Sequence, residues 1–435
     1  LADDAPINLF WEGRGNAQLY RQGDAVLGGT VDLTPTDRPQ LPPEPAISSG
    51  YYLLGALPAL DVEAWLSSLR DITWPEGLGK TRWDVSIESM QVSEVSLGDT
   101  SLGPVRIDLT PFADWEMLGI NADWLDAEFT LRHDATPSAL IINQLNLDLL
   151  PEFGGQPAAE LTPPDLTAPI NVVIANLQRD GKPLGAASFN LRSDGQQLDV
   201  TQLRGRLANV FFEPESSLQW LARDGQQQTR LNLDTRLGDV GDTLDQLSSP
   251  RILETRQGTL QAEMMWADTP LAPDLTATQG SIDLVLREGS FLPVPNQATG
   301  ALRILSLLNL AGLVQRANIN QLFEPGVTFD RASGRIELND GQINIPGFSI
   351  DGSGGTFLFD STIDLLSETI DGELVVTLPL AKNIPWVAAL AGGLPIAAGA
   401  YILSRVFEDQ VAQLSSGVYS VTGDLEKPQV KFERI

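Results

Sequence analysis

Few residues in this chain are arranged in ways that do chemistry. Gly77-Leu78-Gly79-Lys80-Thr81 resembles the end of a phosphate-binding loop, where backbone N–H groups and a lysine cradle phosphates. Such a loop needs its first glycine where Trp74 stands, and no strand-to-helix context surrounds the stretch, so it reads as a turn. His133 is the only histidine and there is no cysteine, which removes histidine triads, multi-histidine metal sites and thiolate sites together. His133 itself reads as a surface strand residue. The 57 Asp and Glu could supply a glycosidase pair, and the nine tryptophans could stack on sugars. Most of the acidic residues, however, alternate with apolar ones along strands, the pattern of a solvated outer face. No cofactor, metal or nucleotide is expected.

The formal charge of −29 repels phosphate backbones, and the 28 Lys and Arg form no long basic run, so nucleic acid is not an expected partner. The same charge opposes docking on anionic headgroups, so any membrane contact must be mainly apolar. The lack of cysteine fits an oxidising or exposed compartment without fixing one. The chain starts without Met, a basic n-region or an apolar h-region, and Ile7-Asn8-Leu9-Phe10-Trp11 is already strand material, so it reads as a piece of something longer.

The elements that must carry any site are strands. Apolar residues recur with period 2 at Phe189 and Leu191, Leu231 and Leu233, Ile282, Leu284 and Leu286, and Ile336 and Leu338. Phe357, Phe359 and Ile363 alternate with Thr356, Asp360 and Thr362, and Leu374, Val376 and Leu378 do the same after Asp371-Gly372. Asp-Gly pairs at 180, 194, 224, 340, 351 and 371 predict tight turns, so consecutive strands should pair as antiparallel hairpins. Helical spacing appears at Asp61 to Arg70, Asp239 to Leu247, about 301–317 and about 384–414. Proline-rich breaks at Pro39 to Pro45, Pro151 to Pro169 and Pro293 to Pro295 punctuate the strands without forming a long flexible linker, so the chain reads as modules of one continuous sheet, taken as about 1–60, 61–250 and 251–435. The pattern alone fits a sandwich core, a solenoid or a long curled sheet.

Ile384 to Leu403 holds no charge and as one helix would be about 30 Å long. Gly392, Gly393 and Pro395 interrupt it, favouring two helices. Trp386, Leu390, Leu394, Ile396, Tyr401 and Leu403 then form a candidate membrane contact at a C-terminal tip, with plain core and a spanning segment as the alternatives.

Three runs carry a family resemblance: Leu302 to Leu310, Leu322-Phe323-Glu324-Pro325-Gly326 to Asp330, and Ser333-Gly334-Arg335-Ile336-Glu337-Leu338 to Gly341. Leu390-Ala391-Gly392-Gly393-Leu394-Pro395 and Tyr419 to Pro428 follow in order, with Leu60 to Leu66 and Gly258 to Trp266 as weaker landmarks upstream. In these runs the chain resembles the AsmA-like superfamily of Gram-negative envelope proteins, and within it the YhdP family. The resemblance implies a mainly β fold, an elongated, twisted antiparallel sheet curled into an open hydrophobic groove, with a few amphipathic helices mostly at the C-terminal end. It further implies a periplasmic protein, anchored in the inner membrane by an N-terminal segment absent from this chain, that moves phospholipid between inner and outer membrane. The period-2 residues from Phe189 to Leu378 would then line the groove and touch acyl chains, with no catalysis. The alternatives are a scaffold for outer-membrane protein assembly working through exposed sheet edges, and an envelope glycan-active enzyme.

Overall fold

The structure is a computed structural model that describes residues 5–434, apart from 23–24, 43–49, 62–84, 98–99, 133, 135, 150–161, 167, 224, 293–326, 354, 380–413 and 426. It is mainly β, with 24 strands among the described residues. Backbone contacts divide it into two compact units, Leu1–Glu152 with Leu166–Arg192, and Phe153–Asp165 with Ser193–Ile435.

The first unit runs through β1 (Ile7–Trp11), β2 (Gly15–Gln22), β3 (Ala25–Asp32), β4 (Gly50–Leu57), β5 (Leu60–Asp61) and β6 (Val85–Leu97). It continues with β7 (Thr100–Pro111), β8 (Trp115–Ala122), β9 (Leu125–Arg132), β10 (Ser138–Asn146), β11 (Ile170–Arg179) and β12 (Lys182–Ser193). The second unit holds β13 (Gln197–Leu207), β14 (Val210–Phe212), β15 (Ser217–Arg223), β16 (Gln226–Leu237), the short helix α1 (Val240–Gln246) and β17 (Leu253–Ala267). Then come β18 (Thr278–Phe291), β19 (Val327–Asn339), β20 (Gln342–Gly352), β21 (Gly355–Asp364), β22 (Thr369–Pro379), β23 (Leu414–Asp424) and β24 (Gln429–Arg434).

Most neighbours pair antiparallel as expected, but β3–β4, β4–β6, β5–β6 and β10–β11 are parallel, so the sheet is mixed and not purely antiparallel. The reason is connection length, because parallel neighbours need a crossover longer than a hairpin. Residues 33–49, 62–84 and 147–169 supply it. In the first crossover the Gln40 N–H donates to Asn16 Oδ1 at 3.0 Å, and both Asn16 (3% exposed) and its neighbour Ala17 (2%), on the other face, are buried.

Turn chemistry explains the hairpins. Asp180-Gly181 (φ 51 and 67) and Asp340-Gly341 (φ 44 and 87) are left-handed pairs between β11 and β12 and between β19 and β20. Asp371-Gly372, by contrast, lies inside β22. The turn before it is built by Asp364, whose Oδ1 accepts from Leu366 N at 2.9 Å and Ser367 N at 2.8 Å. Gly372 is required for space instead, since a Cβ there would come within 2.6 Å of Asp360 O and Ser361 Cβ.

Left-handed residues also sit inside strands. At Ser89 (φ 49) and Gly347 (φ 74) the register shifts and the in-out alternation switches parity, as between Ile345 and Phe348. Such bulges bend a strand and increase its twist, the devices by which a sheet curls. Among the described strands, no ladder closes the strands of either unit into a barrel.

The helix expected at Asp239 to Leu247 is present as α1, with Asp239 Oδ1 accepting from Gly241 N at 2.7 Å. Arg251 ties it to β17 by ion pairs to Asp245 (2.6 Å), Glu254 (2.8 Å) and Asp242 (3.0 Å), and these hydrogen bonds hold its guanidinium well above the ordinary range. The helices expected at Asp61 to Arg70, about 301–317 and about 384–414 lie outside the described residues, except that Asp61 closes β5 and Leu414 opens β23. Among the described residues no helix is long and apolar enough to cross a membrane.

The main core belongs to the second unit and gathers Leu284, Leu286, Ile336, Phe348, Phe357, Phe359, Leu374, Val376 and Tyr419 with Leu244 of α1. Burial pushes the Tyr419 hydroxyl up to about 12 from an ordinary 10.0. The folded state therefore holds this proton more tightly than the unfolded chain does. The associated stability is complete below pH 10 and is lost as pH rises toward 12, by about 2–3 kcal/mol. Denaturant titrations between pH 9 and 12 should show this fall, and Tyr419→Phe should flatten it. An identical slope in the variant would remove Tyr419 as its cause.

Candidate functional site

Residues directly opposite on hydrogen-bonded strands project to the same face. The observed register therefore decides whether alternating apolar residues form isolated patches or rows running across the strands. In the first unit they form rows. Leu9 faces Ala17, which faces Val31, and the row continues through Leu53, Ile87, Leu109, Leu118, Phe129, Leu140 and Val172 to Phe189. A second row beside it joins Met90, Ile107, Ile120, Ala127, Ile142, Ile174 and Ala187. With strands about 4.8 Å apart, the first row is on the order of 45 Å long, and neighbouring rows lie about 7 Å apart. Gln40, by contrast, bonds Asn16 on the opposite face.

The second unit repeats the arrangement. One row joins Val200, Leu218, Leu231, Met264, Gly280, Leu338, Ile343, Ile363 and Ile370. Others join Leu233, Ala262, Ile282 and Ile336, and Leu286, Ala332, Ile350, Phe357 and Val376. An aromatic row, Phe348, Phe359, Leu374, Tyr419 and Phe432, ends in an edge-on Tyr419–Phe432 contact at 5.4 Å. Gly334 opposes Leu284 and leaves the space taken by the Phe348 ring, 2.6 Å from where a Cβ would stand. The other face is polar, as at Asp283–Arg335 (3.5 Å).

The expected apolar residues therefore share a face within each unit, but not one environment. Phe189, Leu191, Leu231, Leu233 and Ile282 are half-buried. Leu284, Leu286, Ile336, Leu338, Phe357, Phe359, Ile363, Leu374 and Val376 are enclosed, Phe359 and Leu374 at 0% exposure. The side chain of Leu378, and Trp386, Leu390, Leu394, Ile396, Tyr401 and Leu403, lie outside the described residues, as do His133 and Gly77 to Thr81.

Sequence inspection missed the rows of β7 to β11. Leu140-Ile141-Ile142 and Val172-Val173-Ile174 are apolar on both faces, so alternation is hidden, and Ile141 (41%) and Val173 (44%) are exposed.

Several polar side chains are engaged in local structure. Asp194 accepts from Gln196 N and Gln197 N, which holds its carboxyl below the usual range, and Asp364 is lowered likewise, first by the Ser367 N–H. The indole N–H groups of Trp124, Trp220 and Trp266 donate to Leu102 O (2.7 Å), Gln227 Oε1 (3.1 Å) and Thr269 O (2.9 Å), and so brace the fold. Among the described residues no group of His, Asp or Glu is placed to hold a metal ion. The surface depressions lined by Glu263, Arg335 and Asn344, or by Arg256, Glu288 and Phe329, are open and shallow.

No solved structure matches this chain. The intermembrane phospholipid transporter YhdP of Escherichia coli (strain K12) is 20% identical over 252 residues, covering 58% of this chain. The chain spans only 20% of that relative's length. A family model described as YhdP protein matches residues 27–430, and with nearly its whole length so matched, the chain belongs to the YhdP family.

Proposed function

We propose that this chain is a non-enzymatic segment of a periplasmic lipid-transfer protein whose apolar rows carry the acyl chains of phospholipids between the inner and outer membrane. The observation behind this reading is the transverse order of the half-buried rows, Leu118–Phe129–Leu140 in one unit and Leu218–Leu231–Met264 in the other. An isolated pocket would serve a bound ligand, whereas a row crossing successive strands offers each new position along it the same apolar floor. Large half-exposed apolar surfaces on soluble proteins mark interaction sites. The relative's description as a phospholipid transporter supplies the ligand class.

The energetics favour such a path. At ~0.8 kcal/mol per CH₂, taking one acyl chain through water costs on the order of ten kcal/mol. A continuous apolar floor removes most of that barrier without fuel, so direction has to come from the difference between the two ends.

Organic extraction of the purified chain followed by mass spectrometry should release diacyl phospholipid well above the amount carried by an unrelated β protein. Extracts without phospholipid would remove the proposal. A paired substitution separates floor from core. Leu231→Asp, at a half-buried site, should cost about 1–2 kcal/mol, keep the circular dichroism of the strands and cut the extracted lipid severalfold. Phe359→Asp buries an unpaired charge completely and should unfold the second unit, at several kcal/mol. A folded Leu231→Asp chain with undiminished lipid would contradict the assignment of that face.

A further inference from the structure

The arginines of the second unit are of two kinds. Arg335, Arg434 and Arg256 each meet a carboxylate, Asp283 at 3.5 Å, Glu373 at 3.2 Å and Glu288 at 2.8 Å. Arg206, Arg287 and Arg331 form no ion pair among the described residues, and Arg206 and Arg287 are exposed.

The register sets these three on one face. Arg206 of β13 is opposite Phe211 of β14, Phe211 is opposite Arg236 of β16, and Arg236 is opposite Thr259 of β17. That row runs on to Val285 of β18 and Ser333 of β19, and two residues away on each of those strands Arg287 stands directly opposite Arg331. All lie on the polar face, since the apolar row Leu231–Met264 has the other parity. Five strand steps at about 4.8 Å make the stripe on the order of 24 Å long.

Like charges directly opposite on paired strands are destabilising. A chain with 57 Asp and Glu against 28 Lys and Arg has carboxylates to spare, yet Thr259, Val285 and Ser333 between these arginines are neutral. Arg331 Nε donates to Ser333 Oγ at 3.3 Å, and Asp351, opposite Arg331, accepts from Ser349 Oγ at 3.2 Å. Arg236 is partly engaged, because it pairs with Glu213 and lies 5.6 Å from the Phe211 ring centroid. The stripe therefore keeps positive charge that the chain itself does not neutralise.

We propose that this stripe, Arg206, Arg236, Arg287 and Arg331, is the docking site for an extended acidic segment of a partner protein. The charges are complementary, and guanidinium forks suit carboxylates. Its length matches about seven extended residues. A narrow segment fits better than an anionic membrane. A charged plane opposes the whole chain with its net charge of −29, whereas at physiological ionic strength a segment lying along the stripe is screened from charges more than about 8 Å away. This surface does not depend on the lipid-carrying reading.

The test measures fluorescence anisotropy of a labelled octaglutamate peptide with the whole chain at physiological ionic strength. Binding should be saturable and should weaken about tenfold in Arg206→Gln with Arg287→Gln, both exposed sites whose change should leave the circular dichroism of the strands in place. Arg335→Gln, which alters a paired arginine on the same face, should bind as the unsubstituted chain does, and Arg206→Lys with Arg287→Lys should recover part of the loss. No saturable binding, or equal affinity in the double glutamine variant, would overturn the proposal. Binding of dioleoylphosphatidylglycerol vesicles that is lost in that variant, with no binding of the peptide, would assign the stripe to a membrane surface and overturn the protein partner.

Discussion

The whole arrangement depends on one constraint: residues opposite each other on paired strands must share a face. Alternation within a strand decides which residues are apolar, but the register decides what they build. Here Leu118 meets Phe129 and Phe129 meets Leu140, so apolar residues line up across the strands. A slip of one residue would turn each strand's apolar set to the polar face. Bulges at Ser89 and Gly347 permit a parity change without losing the row, because Phe348 resumes opposite Phe359 where Ile345 leaves off opposite Ser361.

Polar chemistry is subordinate to this frame. Several carboxylates fix turns or pair with arginines, as Asp364 does beside Ser367 and Asp283 beside Arg335. Arg251 clamps α1 against β17 through three close carboxylates, and Leu244 of that helix joins the core. One buried hydroxyl on the apolar face, Ser361 Oγ, has no hydrogen-bond partner.

Much of this was legible in the sequence, and the failures have physical causes. Strand content, the polar outer face, α1 with its Asp239 cap, and the turns at Asp180-Gly181 and Asp340-Gly341 follow from local patterns. Strand direction does not, since alternation is the same for parallel and antiparallel neighbours. The proline-rich stretches at 39–45 and 151–169 sit in connections between parallel strands, yet Pro293 to Pro295 sits between antiparallel β18 and β19, so proline alone does not reveal direction. Asp371-Gly372 misled because its glycine answers to crowding by Ser361 and not to a turn. Depth of burial is the least legible property. Phe189 and Phe359 sit in equivalent alternating runs, yet one is half-buried and the other has no exposed surface, a difference that alternation within a strand does not encode.

The central claim is that the half-buried rows of both units, and not the polar face, receive acyl chains. The chain lacks cysteine, so one cysteine at a time can carry a polarity-sensitive fluorophore at Leu118, at Leu231, or at Gln219 on the polar face of β15. On addition of phospholipid vesicles, emission from positions 118 and 231 should move to the blue while position 219 stays unchanged. Equal shifts at all three positions, or none at 118 and 231, would contradict the account.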